Sequence, residues 1–568
     1  AVNTAEIGNI MTAAAQLSLA NTNANNNGIV EFSYAAGALA GDNTGTITLD
    51  NVNLGGPAGA LNIGQNTSGI GARGVGNRGF ENMTIHSAGA AANVVSTLNL
   101  PPDTDTDGVV TITGSADLTL GARVNIVNNV NAALTEAAGV WLAATGLAQT
   151  GGRLASIDAS AFTGNLNLVL DNVLDIGKAD TSGVVQNVAV TGGSGNDNFI
   201  LYDVVQAGDT ISGGSGGNDT LSFYSGSALN SVATGIDVTA MYADGSTGNI
   251  ALDYDFAPDA SGMTLRNISS NGVTNAAEGP VTFTLYDMTA AQATGITVQH
   301  STTGNGQIAN TIIEAAVKAN TASDTVGVTI GEGTNVDPRF NFTLDTVVAN
   351  TATSTTASAS TFENVTITDS DSESNSVELQ NFAQHTGTIT LTGGRAGTFL
   401  NLDVDTAGGD VAVNGFARAG SSLVLNPANG ATGVQQGLYQ LNTDGTAVDM
   451  NTGNIAEVGT LATQVRLGAA TINASAEVSN VIVRVSTNAA DVNGAQVITM
   501  GKGDDTVIFD NLHDARAGLT ISDTVAGGEG NDTIKKPGAG DFKIVAGVGN
   551  DVIYADNTGA KTIEAGNA

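Results

Sequence analysis

The chain has 568 residues with 18 Lys+Arg against 54 Asp+Glu, a formal net charge of −36, which excludes phosphate-directed nucleic-acid binding because that needs clustered cations. Charged residues make up only 13% and hydrophobic residues 41%, so the chain is not a charge-swollen disordered polymer and has apolar material for a core. Cysteine is absent, which excludes disulfides, thiolate metal sites and cysteine nucleophiles; no apolar run approaches the ~20 residues of a transmembrane helix; and 74 glycines without a collagen period suit many tight turns.

In chain order, the first expected element is a helix over Thr4–Ala20, from Ala, Leu and Met at helical spacing behind a Thr4 cap. Short β runs follow, such as Gly45–Leu49 (GTITL) and Phe80–Ile85 (FENMTI), with Val110–Gly114 (VTITG) downstream. Asp103, Asp105 and Asp107 then match the first half of an EF-hand-type calcium loop, although Gly114 stands where the bidentate Glu belongs. A second helix is expected over Asn131–Leu147, around the single tryptophan, and a third, amphipathic, over Gln307–Asn320. The phrase FEN(M/V)TI recurs at Phe362–Ile367, again followed by a TITG-like strand at Ile389–Gly393, which reads as duplicated β units. Asp369-Ser370-Asp371-Ser372-Glu373 and Asp403-Val404-Asp405 read as solvated loops.

The sharpest pattern lies at the C-terminal end. Asp505, Asp514, Asp523, Asp532 and Asp541 recur every 9 residues, and Asp551 follows after 10. Three share nearly the same context, Gly501–Val507 (GKGDDTV), Gly528–Ile534 (GEGNDTI) and Gly547–Ile553 (GVGNDVI), which singles out Gly528, Gly530, Asn531 and Asn550 beside the aspartates. Asp514 lacks turn glycines, Asp541 is followed by Lys543, and Lys561 replaces the aspartate near the end, so that last coil reads as a cap. A second cluster lies mid-chain, with Gly193, Gly195, Asn196 and Asp197 in GGSGNDNF, then Asp209, then Asn218 and Asp219. The expected geometry is one narrow turn per nine residues. The apolar residue two after each Asp faces inward, the glycines permit the turn, and carboxylates and turn carbonyls form an all-oxygen cage suited to Ca²⁺.

These glycine- and aspartate-rich nonapeptides resemble the GGxGxDxUx repeat of RTX proteins, with U apolar. With the acidic, cysteine-free composition and long Thr/Asn/Gly/Ala-rich strands, the whole resembles the RTX-type S-layer proteins of Gram-negative bacteria. That resemblance implies type I secretion, a calcium-stabilised fold completed outside the cell, and a two-dimensional lattice on the bacterial surface. It also implies homo-oligomeric partners and an anchor in lipopolysaccharide or a surface glycan. The chain ends Glu564–Ala568 rather than in the apolar tail usual for that export route, and it opens at Ala1 without a secretory leader pattern, so a segment outside this sequence or another route is expected.

No catalytic constellation emerges. His86, His300, His385 and His513 are far apart, HExxH is absent, and the GxSxG match at Gly213–Gly217 lies inside a calcium-type turn. The expected class is therefore mainly all-β, a parallel β-helix or β-roll with β-solenoid or sandwich-like units and a few short helices. The expected segments are 1–186 (β-rich with helical segments), 187–225 (RTX-like turns), 226–490 (central β-rich) and 491–568 (RTX-like roll). The expected function is a structural, non-enzymatic lattice protein. The alternative is a secreted adhesin or matrix protein displayed without a lattice.

Overall fold

The computed structural model describes residues 4–10, 15–20, 28–35, 37–56, 59–65, 80–100, 108–121, 140–141, 154–170, 187–201, 204–224, 227–243, 250–267, 281–300, 309–321, 323–331, 340–345, 362–370, 375–380, 388–395, 399–404, 416–419, 422–425, 437–441, 447–449, 455–456, 471–485, 497–509, 522–535, 541–555 and 559–566. The chain forms two compact units, residues 1–243 with 254–263, and residues 244–253 with 264–568.

Both are built from parallel strands. In the first unit the chain feeds three ladders in turn. Ala60–Gln65, Asn82–Ala88 and Asn93–Val95 are followed on the same three ladders by Thr97–Asn99, Gly108–Gly114 and Leu118–Leu120. In the second unit two ladders alternate, as in Ala309–Val317, Thr325–Ile330, Phe340–Asp345 and Asn364–Asp369. This is a parallel β-solenoid. Short apolar residues at every second position suit it, because a parallel ladder gives each strand one inward face and the coil closes around that face. Ile47, Ile85 and Ile112 stack in register and are buried; Val326, Val365 and Ile389 do the same in the second unit. An antiparallel meander, Phe416–Ala419 through Ile455–Ala456, departs from the pattern.

Two expected helices are strands. Thr4–Ala20 forms Thr4–Ile10, paired with Ile29–Tyr34, and Gln16–Ala20, paired with Thr44–Asp50. Gln307–Asn320 contains the strand Ala309–Val317, held between Val281–Met288 and Phe340–Asp345. Helix propensity spans only about 1 kcal/mol per residue, and in-register partners on the ladder outweigh it. Of Asn131–Leu147, only the strand Val140–Trp141 lies within the described residues. The one α-helix among the described residues is Ala290–Ala293, started by a Thr289–Gln292 capping box.

The repeated FEN phrase occupies one kind of corner in both units. Phe80 and Phe362 are buried, and each strand that follows is paired with the TITG-like strand of the next coil. The Glu81 carboxylate accepts the backbone N–H of Asn43, and Glu363 accepts that of Asp324 at 2.8 Å. Both glutamates thus tie the strand entry of one coil to the coil before it. Asp369 is not solvated as expected: it is buried at a strand end and accepts from Asn375 Nδ2 at 3.0 Å.

Candidate functional site

The aspartate-rich stretches are coils within these ladders, and their pairing corrects the nine-residue reading. Thr533 pairs with Val552 and Ser522 with Asp541, so the last coils take 552 − 533 = 19 residues, whereas Thr506 pairs with Thr533, so the coil before takes 533 − 506 = 27. Nine residues is thus about half of the last coils and a third of the coil from Asp505 to Asp532. Asp505, Asp532 and Asp551 therefore stack on one edge, while Asp523 and Asp541 fall on the opposite ladder.

At the stacked corners the Asn-Asp dipeptides build two hydrogen-bond ladders of opposite sense. The exposed Asn side chain accepts from the next coil: Asn218 N–H donates to Asn196 Oδ1 at 2.8 Å, and Asn550 N–H to Asn531 Oδ1 at 3.0 Å. The Asp side chain, buried at Asp197, Asp219 and Asp532 and half-buried at Asp551, accepts from the coil before. Leu166 N–H donates to Asp197 at 2.9 Å, Asp197 N–H to Asp219 at 2.8 Å, Asp505 N–H to Asp532 at 2.9 Å and Asp532 N–H to Asp551 at 3.0 Å. Asp209 accepts from Val188 N–H at 2.8 Å, and Asp541 from Ala560 N–H at 2.7 Å. Backbone amides that would be orphaned at the corner are thus satisfied across coils. Asp523 is fully buried on its strand. Asp103, Asp105, Asp107 and Asp514 lie outside the described residues.

The glycines answer to a different constraint from the one expected. Gly528 and Gly530 do have positive φ (100° and 139°), but Gly193 and Gly195 do not. At those two, a Cβ would stand 2.3 Å from the Phe162 carbonyl oxygen and 2.2 Å from that of Gly164, in the coil below. Turns stack backbone on backbone, so the motif conserves space between coils as well as turn conformation. The apolar residue two after the aspartate faces inward as expected, with Phe199, Leu221, Val507 and Ile534 all buried.

Burial pushes three of these carboxyls up. Asp505 is raised to about 8, first by desolvation and further by Asp532 and Glu477. Asp532 is raised to about 7, by desolvation and then by Asp551 and Asp504. Asp219 reaches about 6 for the same reasons, with Asp197 and Asp237 as its neighbours. One buried oxygen on each of Asp505, Asp532 and Glu477 has no hydrogen bond of ordinary geometry. Glu477, itself raised by desolvation, was not singled out in the sequence because it sits outside any glycine motif.

An all-oxygen donor set of this kind fits a hard cation such as Ca²⁺. Among the described residues, no three of these ladder carboxylates bring oxygens within 4.8 Å of one another, so a bound ion would also need backbone carbonyls. Asp532→Asn separates the two roles of the carboxylate. The amide oxygen still accepts from Asp505 N–H, so without calcium the variant is expected to fold at least as stably as the wild type. Asp532→Ala leaves that buried donor unsatisfied, at a cost of about 1–3 kcal/mol. Both variants are expected to lose calcium-induced stabilisation of these coils in thermal melts; an Asn variant with an undiminished calcium response would remove Asp532 from any cation site.

No family model matches the chain, and no curated protein or solved structure does either.

Proposed function

We propose that the chain is a structural protein of a bacterial cell surface that self-assembles into a calcium-stabilised, S-layer-type lattice. The observation that carries this reading is the stack of carboxylates at Asp505, Asp532 and Asp551 in adjacent coils, the first two of them buried. Such a stack is held most stably with protons or with divalent cations between the charges. Extracellular calcium supplies the latter, which suits a protein that completes its fold after export. The sites named in the sequence, Asp197, Asp209, Asp219, Asp505, Asp523, Asp532, Asp541 and Asp551 with their Asn and Gly neighbours, are the proposed calcium-binding coils.

The non-enzymatic reading rests on how the polar residues are used. The motif carboxylates bond backbone amides, and His86 lies on an outer strand face against Thr113 Oγ1 at 3.1 Å. The surface anchor in this reading is lipopolysaccharide or a surface glycan.

Purified protein at millimolar Ca²⁺ is expected to form flat or tubular arrays in negative-stain electron microscopy, and chelation is expected to dissolve them. Protein that stays monodisperse in calcium, on cells without a lattice, would favour the adhesin reading.

A further inference from the structure

One face of the second unit is an uncharged lattice of threonine. Its columns run across parallel strands in register. Thr297, Thr329, Thr368 and Thr392 form one, each paired with the next. Thr366, Thr390, Asn473 and Thr499 form a second. A third continues from Thr471 through Val497 to Thr524. These side chains are half-buried or exposed, while the alternating residues, such as Val365, Ile389 and Ile472, are buried. Neighbouring hydroxyls on this face bond to each other, as Thr368 Oγ1 and Thr392 Oγ1 do at 3.2 Å.

The charge pattern marks this face out. Over the seven strands from Ile296–His300 to Ser522–Ala526, no outward residue of these columns carries a charge. The field ends at Arg266, bonded to Gln299 at 3.2 Å, on one side. On the other it ends at Lys543, which pairs in register with Thr524 and bridges to Glu564 at 2.9 Å. The chain as a whole carries −36, so two copies repel wherever acidic surfaces meet.

We infer that this threonine face is the contact between two copies of the chain, packed sheet on sheet about a two-fold axis. The inference rests on the self-assembly reading above and names the surface it uses. Uniformly short side chains make the face flat, so two such sheets can approach to the ~10 Å of ordinary sheet packing. Seven strands at ~4.8 Å, averaging ~17 Å of length, give a footprint of about 570 Å² per copy and about 1,100 Å² in all. That reaches the lower range of specific interfaces, and a two-fold contact uses the same patch twice. Other occupants fit less well. The columns carry no cation for a phosphate or anionic lipid headgroup, and no aromatic ring on which a sugar would stack.

The test uses the full chain in millimolar calcium. Thr390→Glu and Thr499→Glu each place a charge on the face of both partners. In sedimentation velocity each is expected to weaken self-association by at least about tenfold, with the β circular-dichroism signal unchanged. Because the chain has no cysteine, Thr390→Cys gives a second readout that does not disturb charge. Mild oxidation is expected to cross-link it into dimers far more completely than Lys502→Cys, on an exposed turn outside the threonine columns. Equal cross-linking at both positions, or unchanged association of both Glu variants, would overturn the inference. Arrays that persist in the Glu variants would overturn this contact while leaving the lattice reading intact; dimers that never extend into arrays would do the reverse. A wild type that stays monomeric, but binds lipopolysaccharide vesicles until Thr390 is charged, would assign the face to a glycan and refute the dimer.

Discussion

Gly530→Ala is expected to unfold the last coils of the second unit, with a loss of about 3 kcal/mol or more. Two costs add at this residue. Its φ of 139° is a conformation that L side chains rarely adopt, and its Cβ would stand 2.0 Å from the Gly503 carbonyl oxygen of the coil below. Backbone cannot swing aside as a flexible side chain can, and shifting it would break the Asn531–Asp504 and Asp532–Asp505 amide ladders beside it. Gly37→Ala is the control. It has φ of 83° but nothing within 4 Å of its Cβ, so it should cost only about 1 kcal/mol. Denaturant titration read by hydrogen exchange at residues 522–555 for Gly530→Ala and at residues 28–50 for Gly37→Ala measures the difference. Equal losses would mean that turn conformation alone, and not stacking, selects glycine.

The second large effect is an inverted pH dependence in chelator. A paired surface carboxylate usually stabilises a protein as it ionises, but Asp505 and Asp532 are held at about 8 and about 7, above the 3.8 of an ordinary aspartate. Between those values the folded chain binds more protons than the unfolded one, so stability falls as pH rises from about 4 to about 8. The groups facing Asp505 are Asp532 and Glu477, and those facing Asp532 are Asp551 and Asp504; all are acidic. At about 1.4 kcal/mol per unit the combined effect is on the order of several kcal/mol. Without calcium, the coils spanning 497–555 should therefore resist protease better at pH 5 than at pH 8. Calcium should restore resistance mainly at pH 8, where the carboxylates are ionised in the fold. Resistance that rises with pH in chelator would show that these carboxyls are compensated by something other than protons or cations.

Much of the architecture is legible in the amino-acid sequence. Alternating Thr/Val/Ile runs specify strands because one face of each must be apolar, and the inward position two after Asp197, Asp219, Asp505 and Asp532 follows from that same period. The Gly-x-Gly-Asn-Asp phrases mark the corners, since few other residues satisfy a turn so tightly stacked. Tertiary structure decided what local pattern could not. The partner of a parallel strand lies a whole coil away, so the coil lengths of 27 and 19 residues, and with them the stacking of Asp505 on Asp532 rather than on Asp523, depend on long-range pairing. The same pairing turned Thr4–Ile10 and Ala309–Val317 from helical periodicity into strands. It also set the opposite directions of the Asn and Asp ladders and placed Glu477 beside Asp505, because a side chain's acceptor role is fixed only when the neighbouring coil brings an amide or a charge to it.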